Sequence, residues 1–435
     1  MMAVPGLLGG MGFSMSGSGV LSTFLKMATD TDRVLVLVYL EGGNDGLNTV
    51  VPVDQLAALS RARQHVFIQE ERLLRLNNSG VALHPSLAGF TSLYNEGRLG
   101  IIQSVGYPEQ NFSHFRSTDI WMSASDAKQL VNSGWSGRYL NGQFPDYPEA
   151  YPNQDVTDPL AIEIGNGASL IFQGPASAMG MVVSNPDSFY DLIENVEEPT
   201  PDTPAGDKLR YVRLIAKQSE LYGEVVKQAA GKVKQQRDYP DNRLAQQLKI
   251  VARLIAGGLK TPLYMVRIGG FDTHSNQVDV KNHTQGRHAN LLSKLDQSIT
   301  SFMRDLEYLG IDDRVVGMTF SEFGRRIVSN ASSGTDHGSA APMFVFGNDV
   351  IGGVTGSNPH IPSKATYKDN LEMQYDFRQV YASVLEQWLG ASVNVSGQVL
   401  MKNFETIPVI GESYLSNLKA QELLKVYPNP VTGPT

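Results

Sequence analysis

The chain has 435 residues, of which 41% are hydrophobic and 18% are charged, and its formal net charge is −8. This length can bury a large core in one or several domains, and the acidic balance excludes a protein that follows a nucleic-acid backbone by electrostatic attraction. Cysteine is absent, so disulfides, thiolate ligands and a cysteine nucleophile are excluded. A metal site in this chain would therefore use oxygen and imidazole donors.

Hydrophobic patterning predicts strands and helices that alternate along the chain. The continuous apolar run from Arg33 to Leu40 is typical of a central strand covered on both faces. Further strands are predicted at 99–105, 161–164, 170–172, 181–183, 263–268, 314–320 and 344–347, and helices at 85–96, 113–122, 207–236, 243–256, 289–309 and 377–389. This alternation indicates an α/β fold with a mostly parallel, doubly wound sheet.

The predicted organisation is one α/β domain at 31–415 with an inserted helical and irregular segment at about 150–242. Residues 1–30 are rich in Gly, Met and Ser and lack a basic start, which fits either a flexible leader or the remnant of an export signal. Residues 416–435 are expected to form a linker. No apolar run reaches the roughly 18–20 residues that a membrane-spanning helix needs.

Acidic residues and histidines follow three of the predicted strands. Asp45 lies in a Gly-Gly-Asn-Asp-Gly loop, Asp272 and His274 follow a second strand, and Glu322 follows a third. In open α/β sheets, ligands collect beyond the carboxyl ends of the strands. We therefore expect these side chains to share one rim, and Asp272 and His274, two positions apart on an extended segment, to point the same way.

Each of these residues also has a purely structural interpretation. Asp45 suits an Asx turn, and Asp272 suits a helix N-cap with His274 as a hydrogen-bond partner. Glu322 is expected to bind metal or act as a general base, or to form an ion pair with Arg325 or the arginine after it. Carboxylates buried together without a counter-charge cost several kcal/mol each, and a divalent cation removes that cost.

Asp336 and His337 stand side by side in a glycine-flanked loop that precedes an apolar strand. Such a loop can direct a carboxylate oxygen and an imidazole nitrogen at one cation, and the alternative is a polar turn. Together with the strand-end residues, this pair predicts a metal-dependent hydrolytic centre. The predicted metal ligands are Asp45, Asp272, His274, Asp336 and His337.

Ser113 lies at the predicted start of a helix. A helix N-terminus presents free N–H groups and the positive end of the helix dipole, which favour an anion and help a hydroxyl to ionise. We predict Ser113 as a nucleophile activated by metal, with an N-cap serine as the alternative. His114 and Arg116 would contact an anionic substrate, and Arg116 or Arg325 would balance its charge.

The motifs, in their order, resemble the domain-of-unknown-function family 1501. The segments that carry the resemblance are LVYLEGGNDGLN, LHPSL, NFSHFRSTDIW, GGFDTHSNQ, TFSEFGRR and TDHGSAAPMFVFG, within roughly Arg33 to Leu389. That family is similar to the alkaline-phosphatase-like superfamily of phosphatases, sulfatases and cofactor-independent phosphoglycerate mutases. The resemblance implies a three-layer α/β/α sandwich with metals at the carboxyl edge of the sheet. It also implies Asp45 as the first-strand ligand and Ser113 as the counterpart of the nucleophile.

The chain departs from the superfamily's pattern. The superfamily has Asp-x-x-x-His where this chain has Asp272-x-His274, and Asp-His-Gly directly after the next strand, where this chain has Glu322. By letters, Asp336 and His337 are the superfamily's pair. By topology, which we prefer because strand order is harder to change than a tripeptide, Glu322 replaces the aspartate and His337 the final histidine. The segment after Ser113 lacks the proline of a formylglycine sulfatase motif.

These observations favour a secreted metal-dependent hydrolase of phosphate or sulfate esters, in which Ser113 or a metal-bound water attacks. It would use one or two divalent ions (Zn, Mn, Ca or Mg) and a small anionic ester or glycan-linked substrate. The alternative is a non-catalytic exported surface or binding protein that keeps the fold and a structural metal. A carbohydrate-active enzyme with paired carboxylates is disfavoured by the acid–histidine pairs.

The segment from Leu423 to Gly433 resembles the start of the sorting domain that Bacteroidota attach to cargo of the type IX secretion system. That resemblance implies passage through the periplasm, by the Sec or twin-arginine export machinery, to a secreted or cell-surface location.

Overall fold

The computed structural model describes residues 32–165, 167–185 and 204–411, with the side chains of 204–217 outside this description. The predicted leader at 1–30 and the predicted tail at 416–435 lie outside the described residues. Within the described ranges, no helix combines the length and the apolar character needed to cross a bilayer.

The secondary-structure elements alternate as the hydrophobic pattern predicts. The strands are β1 (Val34–Glu41), β2 (Val50–Pro52), β3 (Leu74–Arg75), β4 (Val81–Leu83), β5 (Leu99–Gly106), β6 (Ala161–Ile164), β7 (Met181–Val183), β8 (Leu263–Gly269), β9 (Val315–Phe320), β10 (Arg325–Asn330), β11 (Gly334–His337), β12 (Ala341–Phe346), β13 (Gly353–Thr355) and β14 (Tyr375–Asp376). The helices are α1 (Gly46–Thr49), α2 (Leu56–Ala62), α3 (Ala88–Asn95), α4 (His114–Ser123), α5 (Trp135–Gln143), α6 (Pro204–Lys232), α7 (Arg243–Ala256), α8 (Arg287–Leu309), α9 (Phe377–Ser383), which continues as a π-helical turn (Val384–Trp388), and α10 (Val393–Val399).

In the described part of the chain, nine strands form one sheet in the order β13-β5-β12-β9-β1-β8-β6-β7, with β14 also paired to β5. The central strand β1 pairs in parallel with β8 and β9. Strand β12 runs antiparallel to both β9 and β5, so β5 points the same way as β1. The carboxyl ends of β1, β5, β8 and β9 therefore meet at one edge of the sheet.

Alternate residues of β1 are buried on opposite faces of the sheet, as the period of two of a strand requires. Val36 and Val38 belong to a core that includes residues of α3, α7 and α8. Leu35 and Leu37 belong to a second core that includes residues of α4, α5 and α9. Because helices cover both faces, the apolar run of β1 is continuous, and the predicted α/β/α sandwich with a mostly parallel sheet is confirmed.

Two local predictions differ from the structure. Leu170–Phe172, predicted as a strand, is a 3₁₀ turn. Within the segment at 150–242, the strands predicted at 161–164 and 181–183 are present as β6 and β7, which extend the main sheet beyond β8. Asp336 and His337 were expected in a loop, but they lie in β11, which pairs with β10 in a two-stranded hairpin.

Candidate metal centre

The carboxyl edge of the sheet brings one carboxylate and three histidines together. Asp272 and His274 follow β8, His337 ends β11, and His114 begins α4 after β5. Ligand atoms of His114, Asp272 and His337 all lie within 4.8 Å of one another. His274 joins them through its Nε2 atom, which lies 3.1 Å from Asp272 Oδ1 and 2.9 Å from His337 Nε2. We call these four residues the His/Asp cluster.

Two of the histidines are oriented by oxygen atoms at their Nδ1 nitrogens. His337 Nδ1 donates to the carbonyl oxygen of Phe112 at 2.7 Å. Burial raises the pKa of Asp336, but the hydrogen bonds from His274 and Asn330, together with the nearby positive charge of Arg325, lower the pKa overall, so the ionised carboxylate accepts from His274 Nδ1 at 2.9 Å. With a proton on Nδ1, the neutral form of each ring carries its lone pair on Nε2. Metal-ligating histidines are oriented in this way by outer oxygen acceptors.

The third histidine, His114, is positioned by the buried carboxylate of Glu322. Glu322 Oε1 accepts the backbone N–H of Gly42 at 2.9 Å and lies 2.8 Å from His114 Nδ1. The hydrogen bond to Glu322 raises the pKa of His114. His114 Nε2 is buried and has no hydrogen-bond partner among the described residues, although Asp272 Oδ2 lies 3.5 Å away. A free nitrogen therefore faces the same carboxylate as the other two rings.

The donor atoms of the His/Asp cluster have the spacing of ligands around one ion. Zn²⁺ binds imidazole nitrogen at about 2.0–2.1 Å, so neighbouring donors of a tetrahedral site are about 3.3 Å apart. Here the Nε2 atoms of His274 and His337 are 2.9 Å apart, and His337 Nε2 is 3.3 Å from Asp272 Oδ1. Two imidazole lone pairs at this distance repel each other unless a proton or a cation lies between them. The residues therefore fit a divalent cation, and three imidazoles favour a transition metal over Ca²⁺ or Mg²⁺.

Arg325 supplies a buried positive charge next to the His/Asp cluster. Its guanidinium donates to the carbonyls of Gly43 and Thr335 and, at 2.7 Å, to Asp272 Oδ1. Burial raises the pKa of Asp272, but the hydrogen bond and charge of Arg325, together with His274 and His337, lower the pKa to about 2. Burial lowers the pKa of His337. At neutral pH the cluster therefore contains an ionised carboxylate and at least one neutral imidazole.

The structure places Asp45 outside the His/Asp cluster. Its Oδ2 atom forms an ion pair with Arg63, and both side chains are 1% exposed. The same oxygen accepts a hydrogen bond from Gln277 Nε2, whereas Oδ1 has no hydrogen-bond partner among the described residues. The carboxylate of Asp45 was expected to be balanced by a metal ion, but in the structure the guanidinium of Arg63 balances it.

Three other predicted site residues also have specific places. The carboxylate of Asp336 accepts a hydrogen bond from Nδ1 of His274, so Asp336 orients this ring and does not face the centre of the cluster. Arg116 donates to the carbonyls of Ala127 and Gln129, so it stabilises the loop after α4. Ser113 is an exposed N-cap residue of α4 whose side chain does not cap the helix.

From the sequence, His114 was expected to contact the substrate, and its place in the His/Asp cluster was not predicted. The available signal was its position as the first residue of a helix that follows a strand, next to the predicted nucleophile. The roles of Arg63 and Gln277 had no comparable signal, because both depend on contacts with residues distant in the sequence.

Solved structures with a similar fold are remote in sequence. A protein in the alkaline phosphatase superfamily from Vibrio parahaemolyticus has 9% identity and a TM-score of 0.40, over 90% of this chain and 80% of that chain. The PsFucS1 sulfatase from Pseudoalteromonas sp. has 12% identity and a TM-score of 0.36, over 89% and 73%. The C-terminal periplasmic domain of EcEptC from Escherichia coli, in complex with Zn, has 10% identity and a TM-score of 0.33, over 74% of each chain. Likeness at this level carries no argument about what this chain binds or catalyses.

No curated protein matches the chain in sequence. The family model described as "Protein of unknown function (DUF1501)" matches residues 105–391. This range includes all four residues of the His/Asp cluster and covers more than half of the 435 residues. The chain therefore belongs to the DUF1501 family, in agreement with the resemblance carried by its motifs.

Proposed function

We propose that the protein is a metal-dependent hydrolase of phosphate or sulfate esters, with one transition-metal ion held by the His/Asp cluster. The observation that supports this proposal most strongly is the convergence of three imidazole Nε2 atoms on Asp272. When bound, the ion would polarise an ester oxygen and promote ionisation of a nucleophile. The chain shares its motifs with the DUF1501 family, and the similarity of that family to the alkaline-phosphatase-like superfamily supports the choice of esters.

The start of α4 favours an anionic substrate. His114 is the first residue of this ten-residue helix, so backbone N–H groups and the positive end of the helix dipole lie beside the His/Asp cluster. Ser113, at the N-cap, is exposed and its hydroxyl is not used to cap the helix. In this proposal the Ser113 hydroxyl loses its proton to water and its oxygen attacks the phosphorus or sulfur atom, while the bond to the ester oxygen breaks and the alcohol leaves after taking a proton from water. A second water then hydrolyses the ester of Ser113, which releases phosphate or sulfate and restores the hydroxyl. The helix N-terminus stabilises the negative charge that develops on the oxygens of the transferred group.

Glu322 and Arg325, which we predicted as catalytic residues, are assigned positioning roles. Glu322 is buried and holds the Nδ1 atom of His114. Arg325 is buried and holds Oδ1 of Asp272. Each would therefore influence hydrolysis through the cluster residue that it orients, without contact with substrate.

Metal analysis of protein purified without a chelator tests the ligand assignment. We expect about one transition-metal ion per wild-type chain, and a loss of Zn²⁺ affinity of about tenfold or more in His337→Ala. His360→Ala is the matched control, because His360 is an exposed histidine outside the His/Asp cluster. A metal-free wild type that takes up no Zn²⁺, or an unchanged affinity in His337→Ala, would overturn the proposal.

Turnover tests the ester and the nucleophile. Aryl phosphate monoesters, phosphate diesters and aryl sulfates would be supplied to protein loaded with Zn²⁺ or Mn²⁺. Ser113→Ala should retain the metal and lose turnover, because it removes the hydroxyl without changing a cluster residue. Retained turnover in this variant would assign the attack to water.

A non-catalytic binding protein with a structural metal is the second candidate. It is favoured by the places of the two arginines that were expected to receive the anion. Arg325 is buried against Asp272, and Arg116 donates to backbone carbonyls. A metal-loaded wild type that hydrolyses none of the three ester classes would support this candidate over the enzyme.

Secretion to the medium or cell surface stays a prediction from the terminal segments. Fractionation of cells that express the full-length protein, followed by mass spectrometry of its N-terminus, would test it. A protein that stays in the cytoplasm with an unprocessed N-terminus would contradict it.

A further inference from the structure

We propose that Gln277 is a positioning residue that fixes the segment after β8 relative to the β10–β11 hairpin, and so sets the spacing of the His/Asp cluster. This inference rests on the proposed metal function. Gln277 is fully buried, and its side-chain contacts are to Asp45 and two threonines. It therefore acts through its neighbours, since none of these contacts is with a cluster residue.

The amide oxygen of Gln277 joins the two segments that carry cluster residues. Its Oε1 atom accepts hydrogen bonds from Thr273 Oγ1 at 3.1 Å and from Thr335 Oγ1 at 2.6 Å. Thr273 lies between the two cluster residues that follow β8, and Thr335 lies two residues before His337. Both threonines are fully buried, so solvent water does not compete for these hydrogen bonds.

The amide nitrogen of Gln277 is held by the buried ion pair. Nε2 donates to Asp45 Oδ2, and because an ionised carboxylate only accepts hydrogen bonds, the amide oxygen must face the threonines. Arg63, the partner of Asp45, also donates to the carbonyls of Arg326 and Ile327 in β10. The same network thus anchors the segment after β8 and both strands of the hairpin.

Backbone hydrogen bonds also connect these segments. The N–H of Thr335 donates to the carbonyl of Thr273 at 3.1 Å, and the N–H of Gln277 donates to the carbonyl of Ser333 at 2.8 Å. These bonds persist when the side chain of Gln277 is changed. We therefore expect a substitution to displace the cluster's donor atoms by a fraction of an ångström and to leave the fold intact.

Gln277→Leu tests the proposal, because leucine has a similar size and cannot form the three hydrogen bonds. Loss of a group that is hydrogen-bonded directly to a metal ligand typically weakens metal binding by about 10–100-fold, and Gln277 acts one residue further out, so the lower end of this range applies. We expect Gln277→Leu to weaken Zn²⁺ binding by about tenfold or more, and to change the visible absorption spectrum of the Co²⁺-loaded protein, which reports the ligand geometry. Thr335→Val should change the Zn²⁺ affinity and the Co²⁺ spectrum in the same direction. Thr335→Ser should keep the wild-type values of both, because serine retains the hydroxyl.

Gln218→Leu is the matched control. Gln218 is also a buried glutamine that donates to two carbonyls, those of Pro148 and Tyr151, but it lies on α6 and contacts no cluster residue. We expect this variant to be less stable than the wild type and to keep the wild-type Zn²⁺ affinity and Co²⁺ spectrum. If Gln277→Leu fails to fold, the Thr335→Val and Thr335→Ser pair supplies the same comparison.

The outcomes separate this inference from the proposed function. A wild type that binds Zn²⁺ and a Gln277→Leu variant with the same affinity and spectrum would overturn the inference alone. A wild type that binds neither Zn²⁺ nor Co²⁺ would remove the metal function. The positioning role would then be read from the ring NMR shifts of His274 and His337 in metal-free protein. Shifts unchanged by Gln277→Leu would overturn it.

Discussion

The buried ion pair between Asp45 and Arg63 allows a quantitative test of why Asp45 is present. Both side chains are 1% exposed. Burial lowers the pKa of Arg63, and the charge of Asp45 opposes that shift. The guanidinium therefore depends on Asp45 to keep its positive charge. Asp45→Asn keeps the shape of the side chain and removes the counter-charge. Removal of one partner of a buried ion pair costs about 3–5 kcal/mol of unfolding free energy, and we expect a loss of this size.

Denaturant unfolding at pH 7, followed by circular dichroism, measures that loss. The double variant Asp45→Leu/Arg63→Met should recover only part of it, because an apolar pair leaves no buried charge but removes the partners of Gln277 Nε2 and of the carbonyls of Arg326 and Ile327. At saturating Zn²⁺, Asp45→Asn should still bind about one ion per chain, because Asp45 lies outside the His/Asp cluster. A loss below about 1 kcal/mol, as for an exposed pair, would refute the reasoning. An unchanged stability with loss of the ion would make Asp45 a metal ligand.

Three further predictions concern pH, orientation and packing. Burial raises the pKa of Asp296 to about 6, above its value near 4 in an unfolded chain. The stabilisation by neutral Asp296 should therefore be fully present below about pH 4. As the pH rises through 6, the free energy of unfolding should decrease by roughly 3 kcal/mol. Denaturant unfolding of Asp296→Asn should lack this decrease. Glu322→Gln should lower the pKa of His114 measured by NMR, and an unchanged pKa would contradict the assigned hydrogen bond. Gly334→Ala would place a Cβ atom in steric clash with the backbone carbonyl of His274, so Zn²⁺ binding should weaken, whereas Gly142→Ala, whose Cβ atom would meet open space, should leave it unchanged.

The architecture and the rim of the site could be predicted because they depend on local pattern. The continuous apolar run from Arg33 to Leu40 indicated a central strand covered on both faces, and the structure has β1 at Val34–Glu41. The place of a residue just after a parallel strand then indicated the carboxyl edge. Asp272 and His274 are two positions apart, and in the structure Oδ1 of Asp272 lies 3.1 Å from Nε2 of His274.

The sequence does not show which polar residues form ion pairs and which join the His/Asp cluster, because burial and contacts between distant segments decide these roles. Asp45 and Asp272 are similar in the sequence, since each is an aspartate in a glycine-containing segment after a strand. They differ because Arg63, from the end of α2, reaches Asp45, whereas three imidazoles surround Asp272. Arg325 is separated from Asp272 by 53 residues, and no local pattern shows that its charge is buried.

The His/Asp cluster also couples ion uptake to completion of the fold. His337 and Asp272 are 65 residues apart in the chain, and His114 begins α4, which follows β5 on the opposite side of β1 from β8. An unfolded or half-assembled chain cannot hold these groups together, so a cation held by all of them would bind only after the edge of the sheet has formed. Such a cation would stabilise the folded state: the melting temperature would rise with the free concentration of the ion, and a chain that lost the ion would unfold more readily.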